Sequence, residues 1–368
     1  KALLKARVDV QFAEAEIARD LPPDRLTSTV RYTRMLAIYD FTPLHALLGG
    51  ALLGSATLLR MWLSGQILGV SGISGGLVRG KGAELHRWLF TAGLVAGGVA
   101  MQSVYPAAFG AVSIAPWREL VSGLCVGLGA GLGNGCTSGH GISGNARLSV
   151  RSMAYTITFM GSGFLVASLL QSATHVQVAG VALPPIEIAL RTAVRLFAAH
   201  TAAYVAVSVL AGASVLPSRT ALDILSFVDG TLFASGLGLS GMTSPARVAQ
   251  FLDVSKGTWN PTLIFVMAGG LSLMAPFMLL LVVPKRLSRP VLGKVFDLPT
   301  NQTIDSKLII GGVLFGAGWG IGGLCPGPAI VSIGSPFGGP FLFLASLFLG
   351  LKLSDSTGRV SKAVCGAT

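Results

Sequence analysis

Apolar runs of near-bilayer length recur along this chain, separated by short polar links or by glycine-rich stretches. Their cores fall at 42–63, 86–103, 118–135, 152–171, 192–213, 221–239, 261–283, 307–323 and 338–352. A helix needs roughly 20 apolar residues to cross a hydrocarbon core. The pattern therefore predicts an all-α integral membrane protein with about nine transmembrane helices. Four stretches, 65–76, 133–144, 236–244 and 320–329, are too apolar for solvated loops and too rich in glycine for plain helices. Irregular backbone at membrane depth survives only where it is buried in protein or lines a polar cavity. Each stretch thus reads as a short re-entrant segment beside a pathway.

The stretches repeat. "LGVSGIS" at 68–74 returns as "LGLSGMT" 169 residues later, and "GAGLGNGC" at 129–136 returns as "GAGWGIGGLC" after 187 residues. Two motifs recurring in order imply two related halves. The predicted division is an extramembrane tail over 1–40, a first half over 41–191, a linker helix over 192–215, a second half over 216–352 and a tail over 353–368. Each half holds four spans and two re-entrant segments. A single linker span makes the second half enter from the opposite side, the inverted-topology repeat that many transporters share. Glycines at four-residue spacing, Gly123, Gly127, Gly131 and Gly135, then Gly312, Gly316 and Gly320, predict close helix–helix approach.

Composition agrees with a membrane and excludes other classes. Hydrophobic residues make up 52% and charged residues 11%, and the mean hydropathy is +0.70. A soluble domain usually carries about 25% charged residues. The net charge of +12 is scattered through links and tails, as topology signals and anionic-lipid contacts require, and does not suggest nucleic-acid binding. Arg79, Lys81, Arg147, Arg151, Arg219, Lys285, Arg286, Arg289 and Lys294 share one side of the nine-span arrangement with the C-terminus. That side is expected to be cytoplasmic, although Arg31 and Arg34 argue the other way.

The candidate chemistry sits in "GNGCTSGHGIS" at 133–143 and "GGLCPGPAIV" at 322–331. Pro326 and Pro328 suit a first helical turn, and Thr137 and Ser138 are good capping types. Cys136 and Cys325 are therefore each expected at a helix start, where free N–H groups face a bound anion. A thiol is soft and polarizable, which suits a sulfur-bearing anion. Hydroxyls of Ser71, Ser74, Ser240 and Thr243 fall in the same broken segments, shaped by Gly72, Gly135, Gly139, Gly241, Gly323, Pro326 and Gly327. Plainer readings stand beside these: a core-filling thiol, a buried and satisfied His140, and interfacial anchoring for Arg147 and Arg247, which otherwise guide an anion at the two mouths. Cys136 and His140 are four apart, so a nucleophile pair is conceivable, but no orienting Asp or Asn is identifiable. Spacing gives no metal site and no cofactor. Intramembrane Arg60 and Asp229 are costly enough to be functional candidates or each other's partners.

"GNGCTSGHGISGNARLSVRSMAYTITFM", "GLGLSGMTSPARVAQFLDV" and "GAGWGIGGLCPGPAI" resemble the YeeE/YedE family of sulfur-transport proteins over roughly residues 42–352. The resemblance implies a multi-pass protein of the cell (inner) membrane that takes up thiosulfate or a close sulfur anion. Carried over, Cys136 and Cys325 are the thiols that hand the anion along. Some members of the family have a further cysteine in the first re-entrant segment; here that segment offers Ser71 and Ser74 instead. A cytoplasmic sulfur-carrier protein is a partner by analogy. Two rivals remain: a passive channel for water or small anions, and a membrane sulfurtransferase using Cys136.

Overall fold

A computed structural model of the chain describes residues 41–365, except 81–83, 110, 180–182, 256–258 and 336–338. The expected tail 1–40 lies outside the described residues. The first half runs α1 (Pro43–Ser64), α2 (Val70–Val78), α3 (Leu85–Val104), α4 (Pro116–Gly133), a π-helical segment (Thr137–Gly144) and α5 (Val150–Leu169). A single turn, α6 (Ser172–His175), precedes the linker helix α7 (Ile186–Gly212). The second half runs α8 (Ser218–Ser240), α9 (Pro245–Leu252), α10 (Thr262–Phe277), α11 (Ser306–Gly322), α12 (Pro326–Val331) and α13 (Phe341–Cys365), with a π turn extending α10 through Val282. Both halves thus have the order long, short, long, long, short, long. The one sheet among the described residues is a ribbon of β1 (Ala111–Ser113) and β2 (Gln177–Ala179).

Among the described residues, five helices, α1, α5, α7, α8 and α10 with its π turn, are long and apolar enough to cross a membrane. Two bent pairs raise the number to seven: α4 with the π-helical segment, at 43°, and α11 with α12, at 46°. The remaining long helices are α3, diluted by His86, Arg87 and Gln102, and α13, diluted by Lys352 and Asp355. The linker helix starts at Ile186 rather than 192, and α13 continues through the expected tail to Cys365. Hydropathy marks where apolar residues stop, not where the helix does.

Helix ends place the breaks. Gly65 after α1 and Gly241 after α8 are left-handed, at φ 76° and 71°, as are Asn134 after α4 and Gly323 after α11, at 63° and 65°. These are the positions a helix uses to stop without steric cost. They also correct the first sequence repeat. Gly65, not the "LGVSGIS" run, corresponds to Gly241. The third re-entrant segment is accordingly not 236–244; residues 236–240 are the last turn of α8, and the short helix is α9.

The halves interlock. Equivalent helices meet directly, α1 with α8 and α4 with α11. The other main contacts come in matched pairs: α1 with α10 and α8 with α3, then α4 with α13 and α11 with α5. The glycine rows allow this. A Cβ on Gly129 would stand 2.3 Å from the Phe315 backbone nitrogen, and one on Gly316 would stand 2.1 Å from the Phe159 carbonyl oxygen. The basic links gather at one end, where Arg147 reaches the Pro299 carbonyl and Arg151 pairs with Asp305. The ribbon and the start of α9 belong to the other end.

Candidate solute cavity between the two halves

The short helices converge on a cavity of about 300 Å³. Cys136 is the cap residue before the π-helical segment, and Cys325 is the cap residue before α12. Both thiols line the cavity, and both are buried. Each follows its left-handed residue by two positions, so the repeat that supplies the breaks also supplies the thiols.

The polar lining is small and ordered. Cys136 Sγ lies 3.3 Å from Ser138 Oγ, which accepts a hydrogen bond from the first amide of α2, Val70 N–H, at 3.2 Å. The Thr137 hydroxyl points at Cys325 Sγ across the cavity at 4.0 Å. Trp319 also lines it, and its buried indole N–H is directed to the Cys325 thiol. No lining residue is charged. Met160, Met242 and Met267 join the two cysteines on the wall, so five sulfur atoms face one space. Thioether and thiol sulfur are the most polarizable side-chain atoms available.

The two helix starts are unequal. Residues 137, 138 and 139 each bring an amide N–H to the first turn after Cys136, where no intrahelical acceptor exists. After Cys325 the first turn is Pro-Gly-Pro, and proline has no N–H. The Ala329 amide already bonds to the Cys325 carbonyl at 3.0 Å, leaving Gly327 to supply a free donor. Both cysteines cap a short helical segment, but the donors that follow them differ in number.

Several expected pathway residues do other work. His140 points away from the cavity: its Nε2 donates to the Gly133 carbonyl at 3.1 Å, its Nδ1 lies 3.0 Å from Ser152 Oγ, and its ring packs on Tyr155 at 4.4 Å. That pattern fits the neutral Nε2–H tautomer and braces the break at 134–136. Gly135 makes room for it, since a Cβ there would meet the ring at 2.6 Å. Thr243 donates to the Ala108 carbonyl at 2.8 Å and Ser240 to Leu237 at 3.0 Å; neither lines the cavity. Gly241 and Gly323 are helix stops, whereas Pro326 and Gly327 line the cavity. The Gly72 carbonyl accepts from Arg87 at 2.9 Å.

Ser71 and Ser74, on α2, are buried with unpartnered hydroxyls, as is Ser143 on the π-helical segment. Gly69 and Gly139 meet where these two short elements cross. Arg147 lies at the basic end, and Arg247, buried at the opposite end, donates to Thr42 at 2.7 Å. Tyr155 and Trp319 were not singled out in the sequence. Tyr155 donates to the Gly129 carbonyl at 3.1 Å, holding the end of α4, and it packs with Phe159. The available signal was aromatics four apart, Tyr155/Phe159 on α5 and Phe315/Trp319 on α11. Among the described residues, no three of His, Cys, Asp or Glu converge as a metal site.

Comparison with known proteins follows this geometry. A protein of Xylella fastidiosa strain Temecula1 named "Probable transporter" is 44% identical over 131 residues, which is 36% of this chain and 86% of the relative. The chain belongs to its family. A second family member from the same strain, under the same name, is 41% identical over 127 residues, 34% of this chain and 93% of the relative. Both family members are therefore less than half as long as this chain. The model of a family of unknown function, DUF6691, matches residues 221–364, which is α8 to α13. No solved structure matches.

Proposed function

We propose that this chain is a transporter that carries a small sulfur-bearing anion, thiosulfate by preference, across a bilayer through the cavity between Cys136 and Cys325. The observation that carries the reading is the pair of thiols: corresponding positions of the two halves both line one uncharged, sulfur-rich cavity. An enzyme needs one nucleophile, and a passive water pore needs no thiol. Free amides after Cys136, the Thr137 and Ser138 hydroxyls and the Trp319 N–H supply donors without a fixed positive charge, so an anion is held and also released. The unpartnered hydroxyls of Ser71, Ser74 and Ser143 extend the donors toward the basic end. The names of the relatives support transport, and the resemblance to YeeE/YedE proteins supports sulfur.

The test is uptake of labelled thiosulfate by cells lacking their own route that express the parent chain, Cys136→Ala or Cys325→Ala. The reading expects uptake by the parent chain and its loss in both variants at equal expression. Equal uptake in all three would leave a pore and remove the thiols from it. No uptake by the parent would refute the thiosulfate assignment.

A further inference from the structure

A second cavity, of about 230 Å³, lies at the basic end between the end of α1, the start of α3 and the start of α8. Arg219 is exposed and Glu84 is half-exposed at its lining, while Arg60 and Asp229 are 4% and 2% exposed. Arg60 Nη1 donates to Asp229 Oδ2 at 2.9 Å and to Ser226 Oγ at 3.2 Å, and Nη2 donates to Gln66 Oε1 at 2.9 Å. The Tyr204 hydroxyl, from α7, donates to the other carboxylate oxygen. Arg60 Nε is buried and has no acceptor.

The position along the helices links this pair to the thiols. Leu53 and Phe233 line the central cavity. Arg60 lies two turns beyond Leu53 on α1, and Asp229 lies one turn before Phe233 on α8. At 1.5 Å per residue, the two cavities are about 6–10 Å apart along one seam. Gln66, held by Arg60, begins the segment that descends to Val70, whose amide binds Ser138 beside Cys136.

A buried ion pair is stable only while both charges are answered, and removing one partner leaves the other exposed to the full cost of desolvation. An anion that takes Arg60 from Asp229 therefore strands a carboxylate, unless that carboxylate takes a proton. A proton that neutralises Asp229 likewise strands Arg60, unless an anion arrives. We infer that Arg60 and Asp229 form a proton-coupled anion station, in which one anion on Arg60 and one proton on Asp229 bind together on the way to or from the thiol cavity. The proton comes from the bulk medium through the basic-end cavity, Arg60 stays charged, and the one bond formed is the O–H of the Asp229 carboxyl. Arg60 from α1 and Tyr204 from α7 contact Asp229, and the other titratable groups lining the same cavity are Glu84 and His86 at the start of α3 and Arg219 and Asp223 on α8 itself. This inference rests on the transport reading above.

The test measures binding and transport separately. Thiosulfate is added to the purified full chain in detergent, in weak buffer with a pH-indicator dye, with bound anion measured on the same sample. The expected result is uptake of about one proton per anion bound, by linkage. It should be lost in Asp229→Asn, kept in Asp229→Glu and kept in Gly161→Ala, where an added Cβ meets nothing within 4 Å. Anion binding without proton uptake overturns the station, as does no binding, or equal proton uptake by the parent chain and Asp229→Asn. Vesicle uptake run in parallel separates the two readings. Transport that persists without proton uptake removes the station alone. Proton-linked binding without transport keeps the station and removes the transporter.

Discussion

Gly98→Ala tests whether close packing sets the position of the thiol in the second half. Gly98 lies on α3, and a Cβ there would stand 2.1 Å from the Val331 carbonyl oxygen, at the end of α12. Real Cβ contacts do not fall below 3.0 Å, so α3 and α12 must separate by about 1 Å. The obstacle is backbone, not the tip of a flexible side chain, so no rotamer change relieves it. Overpacking of this kind costs about 1–3 kcal/mol. Helix α12 is short and Cys325 is its cap residue, so the displacement passes along it to the thiol. The expected outcome is a thermal midpoint lowered by several degrees, measured as retention of a monodisperse peak after heating in detergent, together with thiosulfate uptake reduced severalfold. Gly161→Ala is the control, because a Cβ at Gly161 meets nothing within 4 Å and alanine favours the helix. If Gly98→Ala matches Gly161→Ala in both assays, α12 is not fixed by α3 and the reasoning fails.

Three further outcomes follow from the site. Ser138→Ala leaves the buried Val70 N–H unpaired and removes the contact on Cys136, so it should cost about 1–3 kcal/mol and lower uptake, while Ser138→Thr retains part of both. His140→Phe keeps the ring against Tyr155 but abandons the Gly133 carbonyl and Ser152; it should lower the thermal midpoint while leaving the KM for thiosulfate unchanged, and a raised KM would return His140 to the pathway. Asp305, outside the spans, is mildly desolvated, but its bond from the Leu308 amide and the nearby Arg151 outweigh that and hold its carboxyl below the ordinary value. A depressed folded value means its stabilisation is complete above the unfolded value of about 4 and is lost as pH falls through the lower folded one. Asp305→Asn should therefore flatten the acid limb of stability against pH, and an unchanged limb would show that the Arg151 pair contributes nothing.

Much of the architecture was legible because a membrane imposes simple rules. Apolar length revealed the long helices, and glycine spacing revealed which faces approach closely. Cys136 and Cys325 were legible because the glycine-rich break recurs with the thiol attached. The misread parts have physical causes. "LGVSGIS" and "LGLSGMT" look alike, but one opens a short helix and the other closes a long one, since small apolar residues suit both. His140 looked available because sequence gives no hint that Ser152 and the Gly133 carbonyl satisfy both ring nitrogens. The sulfur-rich wall was invisible because Met160, Met242 and Met267 come from three separate elements and meet only in the folded chain.

The repeated order of elements makes the frame, and differences between the halves make the asymmetry. Main contacts join helices of different halves, so a single half would leave these apolar and glycine faces uncovered. With Gly65 matched to Gly241, Arg60 corresponds to Gly236 and Asp229 to Leu53. Neither charge has a counterpart, and the ion pair belongs to the basic end alone. The donors are divided in the same sense: three amides follow Cys136, whereas prolines flank the one amide after Cys325. A symmetric pathway would hold an anion equally from either side. Here the amides after Cys136, the unpartnered serines and the ion pair lie from the centre toward the basic end, while the Cys325 side offers a thiol, the Trp319 indole N–H and apolar wall. On the proposed transport reading, an anion arriving past Cys325 would meet more hydrogen-bond donors on its way to the basic end and would leave past the Arg60–Asp229 pair.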